Sequence, residues 1–206
     1  MVTVKLFVEG GGNSDALKTE CRRALRQLLE KAPGCKGKLP RVVACGPRKN
    51  AYDQFCCALK TKSTTEYAVL LVDAECPVAH KSPWQHVAER EGDQWKKPSG
   101  ATDEQLHLMV ECMESWFLAD RAALAKFYGQ GFNQKALPSA ETKPEKVSKA
   151  DLYKRLKNAT TDTKTQGEYG KGQHSFKLLA TLDPKLIKGS SPWAEHFFEA
   201  MAKLPK

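Results

Sequence analysis

The chain is short of the features that usually reveal a protein's chemistry. No stretch approaches the ~18 consecutive apolar residues of a membrane span, so a helical membrane protein is excluded. The first residues lead straight into a strand pattern rather than a signal peptide, and a cytoplasmic protein is expected. Seven cysteines, at positions 21, 35, 45, 56, 57, 76 and 112, make no CxxC pair and none sits at zinc-ligand spacing with histidine. An odd number lying mostly inside apolar runs points to reduced, mainly buried thiols rather than a disulfide framework. The three glycines at Gly10–Gly12 are not followed by Gly-Lys-Ser/Thr and lack GxGxxG spacing, which excludes a Walker loop and a dinucleotide fingerprint. No Ser-His-Asp or Cys-His constellation presents itself, and there is no internal repeat.

What is present is organised around Tyr67-Ala-Val-Leu-Leu-Val-Asp-Ala-Glu75. Tyr67 to Val72 is too short for a helix and does not alternate cleanly, which suits a strand buried on both faces of a parallel sheet. It ends in Asp73 and Glu75, two acids one residue apart that point the same way. Anions held so close repel one another and are costly to desolvate. A hard divalent cation with oxygen ligands is the usual remedy. The plainer alternative is that Asp73 caps a turn and Glu75 is solvated.

The remaining pattern is that of an α/β protein. Thr3 to Glu9 reads as a first strand, and a helix capped by Asn13 or Ser14 runs to about Lys31. Arg41 to Cys45 is a second strand, followed by Gly46-Pro-Arg48-Lys49 and a helix from about Asn50 to Leu59. After the organising strand comes an insertion over 76–104, whose tryptophans are expected to pack on the domain rather than stack on bases. Gln105 to Val110 is a fourth strand, leading through Glu111 and Glu114 into a helix that ends near Tyr128. Short strand–helix–strand crossovers imply parallel neighbours with right-handed connections. Residues 131–144 read as irregular, and 150–159 as a short helix after the basic run Lys143, Lys146, Lys149. A polar loop over 160–172 follows, and two last helices span about 175–181 and 191–204. One α/β unit over 1–130 with a helical C-terminal extension over 131–206 is therefore expected.

In such a sheet Glu9, Asp73 and Glu75, with Glu111 and Glu114 beyond, fall on one edge. Beside them lie Gly10 and Gly11, which let the backbone approach a ligand closely, Arg48, and a loop carrying Lys171 and His174. Converging acids with nearby cations are what metal-assisted phosphoryl chemistry needs. The chain has 33 basic and 24 acidic residues, a net charge of +9. That excess favours polyanions such as nucleic acid, although a solvated basic surface explains it too.

An acid after strand one and Asp-x-Asp/Glu after strand three resembles the Toprim fold. VEGGGNSDAL, VVACGPRKNAYDQF, LLVDAE, HLMVECMESWFLAD and YGKGQHSFKLL resemble, in order and over nearly the whole chain, the DUF4276 family of Toprim-like proteins. The resemblance implies a Toprim-like Rossmannoid domain with a central, mostly parallel four-stranded sheet flanked by helices. It implies a site for Mg²⁺ or Mn²⁺ at Glu9, Asp73 and Glu75, one metal or two. Relatives among the overcoming-lysogenisation-defect nucleases add further acids and a lysine, roles that fall here to Glu114 and Lys171. The expected activity is a metal-dependent nuclease cutting DNA or RNA, with Arg48, Lys171 and, at the margin, His174 on phosphate. The family also resembles Toprim partners of ABC-type ATPases in bacterial defence against phage. The competing expectation is a non-catalytic trigger subunit that docks on such an ATPase; a primase-like polymerase is disfavoured by the chain's length.

Overall fold

The computed structural model describes residues 2–61, 65–80 and 82–204. Strand β1 (Thr3–Val8) is followed by helix α1 (Asp15–Lys31), β2 (Arg41–Ala44), α2 (Arg48–Lys60), β3 (Glu66–Asp73), the short α3 (Pro83–Glu89) and β4 (Leu106–Met109). The sheet order is β2-β1-β3-β4 and every pairing is parallel. This is an α/β, Rossmann-like arrangement. From β1 the chain builds outward first to β2 and then, on the other side, to β3 and β4. The C-terminal ends of β1 and β3 therefore flank the point where strand order reverses, the place where open α/β sheets leave a crevice.

The unbroken apolar run of β3 follows from cover on both faces. Val69 and Leu71 belong with Leu6 and Val8 to one buried cluster, together with Leu25 and Leu28 of α1. Leu70 and Val72 join Phe7, Phe55 of α2 and Trp84 of α3 in the other. Helix α1 starts where expected, its first turn held by Ser14 Oγ, which accepts the Leu17 amide at 3.3 Å. Trp84 and Trp95 of the insertion are buried, as their packing role requires.

Beyond β4 the structure departs from the single helix expected up to Tyr128. A 3₁₀ segment (Met113–Ala119) comes first, then α4 (Arg121–Tyr128). The break has a tertiary cause. Asp120 caps α4 through Oδ1 on the Ala123 amide at 3.0 Å, while Oδ2 accepts the Asp183 amide at 2.9 Å. Next come α5 (Lys149–Thr160), α6 (Lys171–Thr181), an unexpected α7 (Pro184–Ser190) and α8 (Pro192–Ala202). Helix α7 opens on Asp183-Pro184, with Asp183 Oδ1 accepting the Lys185 amide, the same cap-plus-proline signal that was legible at Ser191-Pro192. Leu152, Leu178 and Phe197 of the C-terminal helices share the first buried cluster with the sheet and α1.

All seven cysteines are free; four are buried and Cys57 is exposed. Among the described residues no helix is long and apolar enough to cross a membrane.

Candidate metal centre

Glu9 follows β1 directly, Asp73 closes β3, and Glu75 lies two residues on. One carboxylate oxygen from each lies within 4.8 Å of the others, a spacing that a single cation's coordination sphere can span. The sheet produces this convergence. Val8 pairs with Leu71 across β1 and β3, and the Asp73 amide donates to Glu9 Oε2 at 3.2 Å. Glu75 has φ +69°, a left-handed conformation that costs a residue with a Cβ ~1–2 kcal/mol. Its amide is anchored on the Glu111 carbonyl at 2.7 Å.

The acids are under-compensated. Burial first, then the charges of Glu9 and Glu114, push the Asp73 carboxyl up to about 8, against the weaker pull of Lys149 and Lys171. Glu9 is also held above the ordinary carboxylate range, chiefly by burial, with Arg48 opposing and Glu75 adding to the rise. Asp73 Oδ1 accepts the Met113 amide at 2.8 Å, which aims the group but leaves its charge unmatched. Oxygen donors that repel at this distance fit a hard divalent cation.

Two cations flank the cluster, and one was overlooked in the sequence. Lys149 Nζ lies 2.7 Å from Glu75 Oε2 and 3.7 Å from Asp73 Oδ2. Its backbone amide donates to Glu111 Oε2 at 2.8 Å, so Glu111 anchors α5. Arg48, expected on phosphate, is engaged by groups of the protein itself. Its guanidinium donates to both oxygens of Asp93 at 2.8 and 2.6 Å, to Glu9 Oε2 at 3.3 Å and to the Asp73 carbonyl. It also lies 4.7 Å from the centre of the Trp95 ring. With its donors so committed, Arg48 positions Glu9. The insertion supplies this support through Asp93, Trp95 and also His86, whose ring nitrogen is 2.9 Å from the Ala74 carbonyl.

Glu114 lies outside the 4.8 Å group among the described residues. It is fully buried, with Oε1 accepting from Ser175 Oγ at 3.0 Å and from the Tyr169 hydroxyl at 3.4 Å, and Oε2 from the Tyr153 hydroxyl at 3.0 Å. Lys171 opens α6 rather than lying in a loop. Its exposed Nζ reaches to 3.9 Å from Glu114 Oε1 and lies 5.5 Å from the centre of the Tyr153 ring. His174 does not join the site. Helix α6 begins four residues earlier than expected and turns the ring inward, where Nδ1 accepts the Gly170 amide at 3.1 Å and lies 3.2 Å from the Tyr128 hydroxyl.

Glu9 and Asp73 open onto a cavity of about 410 Å³ whose wall also includes Glu114, Lys171, Leu17 and Phe176. Gly10 and Gly11 line it as expected. At Gly11, φ +83°, a Cβ would fall 2.6 Å from the Lys18 amide nitrogen, so the turn into α1 admits only glycine there.

Residues 8–202 match the family described as a domain of unknown function, DUF4276. No curated protein matches the chain, and no solved structure does. By a match that covers nearly all of its length, the chain belongs to the DUF4276 family.

Proposed function

We propose that this protein is a metal-dependent nuclease of Toprim type, hydrolysing phosphodiesters of DNA or RNA. The observation that carries the reading is the meeting of Glu9, Asp73 and Glu75 oxygens within 4.8 Å at the reversal point of the sheet. These three residues would hold Mg²⁺ or Mn²⁺. The ion would supply Lewis-acid activation of a water and charge stabilisation at the phosphate.

The protein's own groups divide the remaining work. Met113 and Arg48 aim Asp73 and Glu9. Lys149 holds the acids together and carries a cation to the place where phosphate charge builds up. Lys171, an exposed side chain that lines the cavity with its ammonium 3.9 Å from Glu114 Oε1, attracts the incoming phosphate. Glu114 fixes Tyr153, Tyr169 and Ser175 as the wall behind it.

A cytoplasmic setting, an ABC-type ATPase partner and a role in defence against phage belong to the same proposal, the last two through the family resemblance alone. A non-catalytic docking subunit would be favoured by exposed apolar side chains. Among the described residues Leu186 is the one large hydrophobic side chain so exposed.

The test is incubation with plasmid, single-stranded DNA and tRNA in Mg²⁺ or Mn²⁺, beside a Glu9→Gln/Asp73→Asn variant. The expected result is cleavage by the wild type and a loss of at least ~10³-fold in the variant. Equal activity in both would locate the chemistry elsewhere or in a contaminant.

A further inference from the structure

Two concavities adjoin the acids and a third shares Lys171 with the first; their sizes and walls bear on what can enter. The central one, about 410 Å³, is walled by apolar groups of Leu17, Met113 and Phe176, with Glu9 and Asp73 on one side. That volume is within the range of pockets that take one small ligand, and a single nucleotide fits it. Lys171 also lines a second groove, about 520 Å³, with Tyr153, Lys157 and Gln173. Glu9 and Pro47 also line a third, about 600 Å³, where Glu75, Lys49, Arg90 and the stacked pair Tyr52 and Trp95 sit. Each flanking groove thus carries cations and a partly exposed tyrosine, Tyr153 in one and Tyr52 in the other, the pairing that tracks a flexible strand; Trp95 is buried against Tyr52 and Arg48 and backs the groove as packing.

The acids themselves are recessed. Their side chains are 21% (Glu9), 8% (Asp73) and 23% (Glu75) exposed. A duplex carries its phosphates on a stiff cylinder and cannot lower one into a cavity of this size without unpairing the nucleotide. A single strand can splay its bases apart and follow all three concavities.

We propose that the substrate of this site is unpaired: the cavity beside Glu9 and Asp73 takes one splayed-out nucleotide, and its neighbours on the strand lie in the two flanking grooves. This rests on the nuclease reading for the chemistry, but not for the binding.

Gly172 gives a clean way to test it. A Cβ built there would meet only Leu17 Cδ1, 4.0 Å away, and Gly172 lines the central cavity, so Gly172→Leu narrows that cavity from the second position of α6 while replacing none of the acids. Phe176→Ala instead removes its aromatic wall. Binding of fluorescein-labelled single-stranded DNA and RNA, and of the same strands annealed to their complements, is measured in Ca²⁺. Cleavage of the same set is measured in Mn²⁺, and Mn²⁺ affinity is measured separately to show that each variant keeps its site.

The wild type should bind one or both single strands at least about tenfold more tightly than the duplexes. Each variant should lose about tenfold of that binding, the size of one stacking contact, with Mn²⁺ affinity unchanged. Duplex bound as well as single strand, or undiminished single-strand binding by either folded variant, overturns the proposal. Preferential single-strand binding without cleavage would leave it standing and remove the nuclease reading. Cleavage of duplex and single strand alike would do the reverse.

Discussion

Glu114 and Asp73 are buried carboxyl groups in the same crevice, close enough for the charge of one to raise the pKa of the other, yet the protein treats them in opposite ways. Glu114 is enclosed by hydroxyls of Ser175, Tyr169 and Tyr153 that donate to both of its oxygens. Asp73 receives one amide, has Lys149 at 3.7 Å, and faces two more acids. A carboxyl group whose two oxygens accept from three hydroxyls, with the Lys171 ammonium 3.9 Å from one of them, is already satisfied and serves to hold its donors in place. Acids pressed together with too few donors are stable only if something positive joins them. On the proposed reading the difference separates an acid that holds its neighbours in place from one that takes a ligand, where burial alone would have classed them together.

The largest effect that could break this contrast is on folding. Glu114→Ala should cost about 3–5 kcal/mol and lower the melting temperature by roughly 10 °C, because the buried hydroxyls of Tyr169 and Ser175 and the half-buried one of Tyr153 lose this acceptor. A fall of a degree or two by calorimetry would mean that the cage does little.

Asp73→Asn should act in the other direction. An acid whose folded pKa lies above its unfolded one takes up a proton on folding. Its contribution therefore favours the folded state at low pH and is lost progressively as pH rises from about 4 to about 8. In metal-free buffer at pH 8 the variant should be more stable than the wild type by ~1–3 kcal/mol, with a flatter dependence on pH. Adding Mn²⁺ should stabilise the wild type and leave the variant nearly unmoved. A variant less stable than the wild type at pH 8 would show that Asp73 is better compensated than its surroundings indicate.

Much of this arrangement was legible in the sequence because it depends on strand ends. The apolar run before Asp73 announced a doubly covered strand, and β1 ends at Glu9 by the same logic. The cluster follows once both strands are parallel neighbours. The cages and counter-ions were less legible, since they are set by packing between distant segments. Arg48 suggested phosphate binding because nothing local tells that Asp93, 45 residues on, engages its guanidinium. His174 was misplaced because α6 starts at Lys171, not Ser175. One signal was available. Arg48, Lys149 and Lys171 each occupy the first position of a helix, where the macrodipole disfavours a cation by ~0.3–1 kcal/mol. A basic residue there three times over indicates a negative charge elsewhere that outweighs the dipole.

Lys149 allows the finest test of the contrast. Its ammonium does for Asp73 and Glu75 part of what a divalent ion would do, and it touches the same oxygens. Lys149→Met should therefore destabilise the metal-free protein, since the acids lose a counter-charge. It should also bind Mn²⁺ more tightly, because a competing cation has gone and the site is more negative. A charge pair a few ångström apart and partly exposed is worth about 1 kcal/mol, so the gain should be about fivefold in affinity by titration calorimetry. Cleavage should fall even as the metal binds better, because the cation facing the phosphate is missing. Weaker Mn²⁺ binding in the variant would show that Lys149 chiefly orients Glu75 rather than standing in the ion's place, and the acids would then be less hungry for charge than their repulsion suggests.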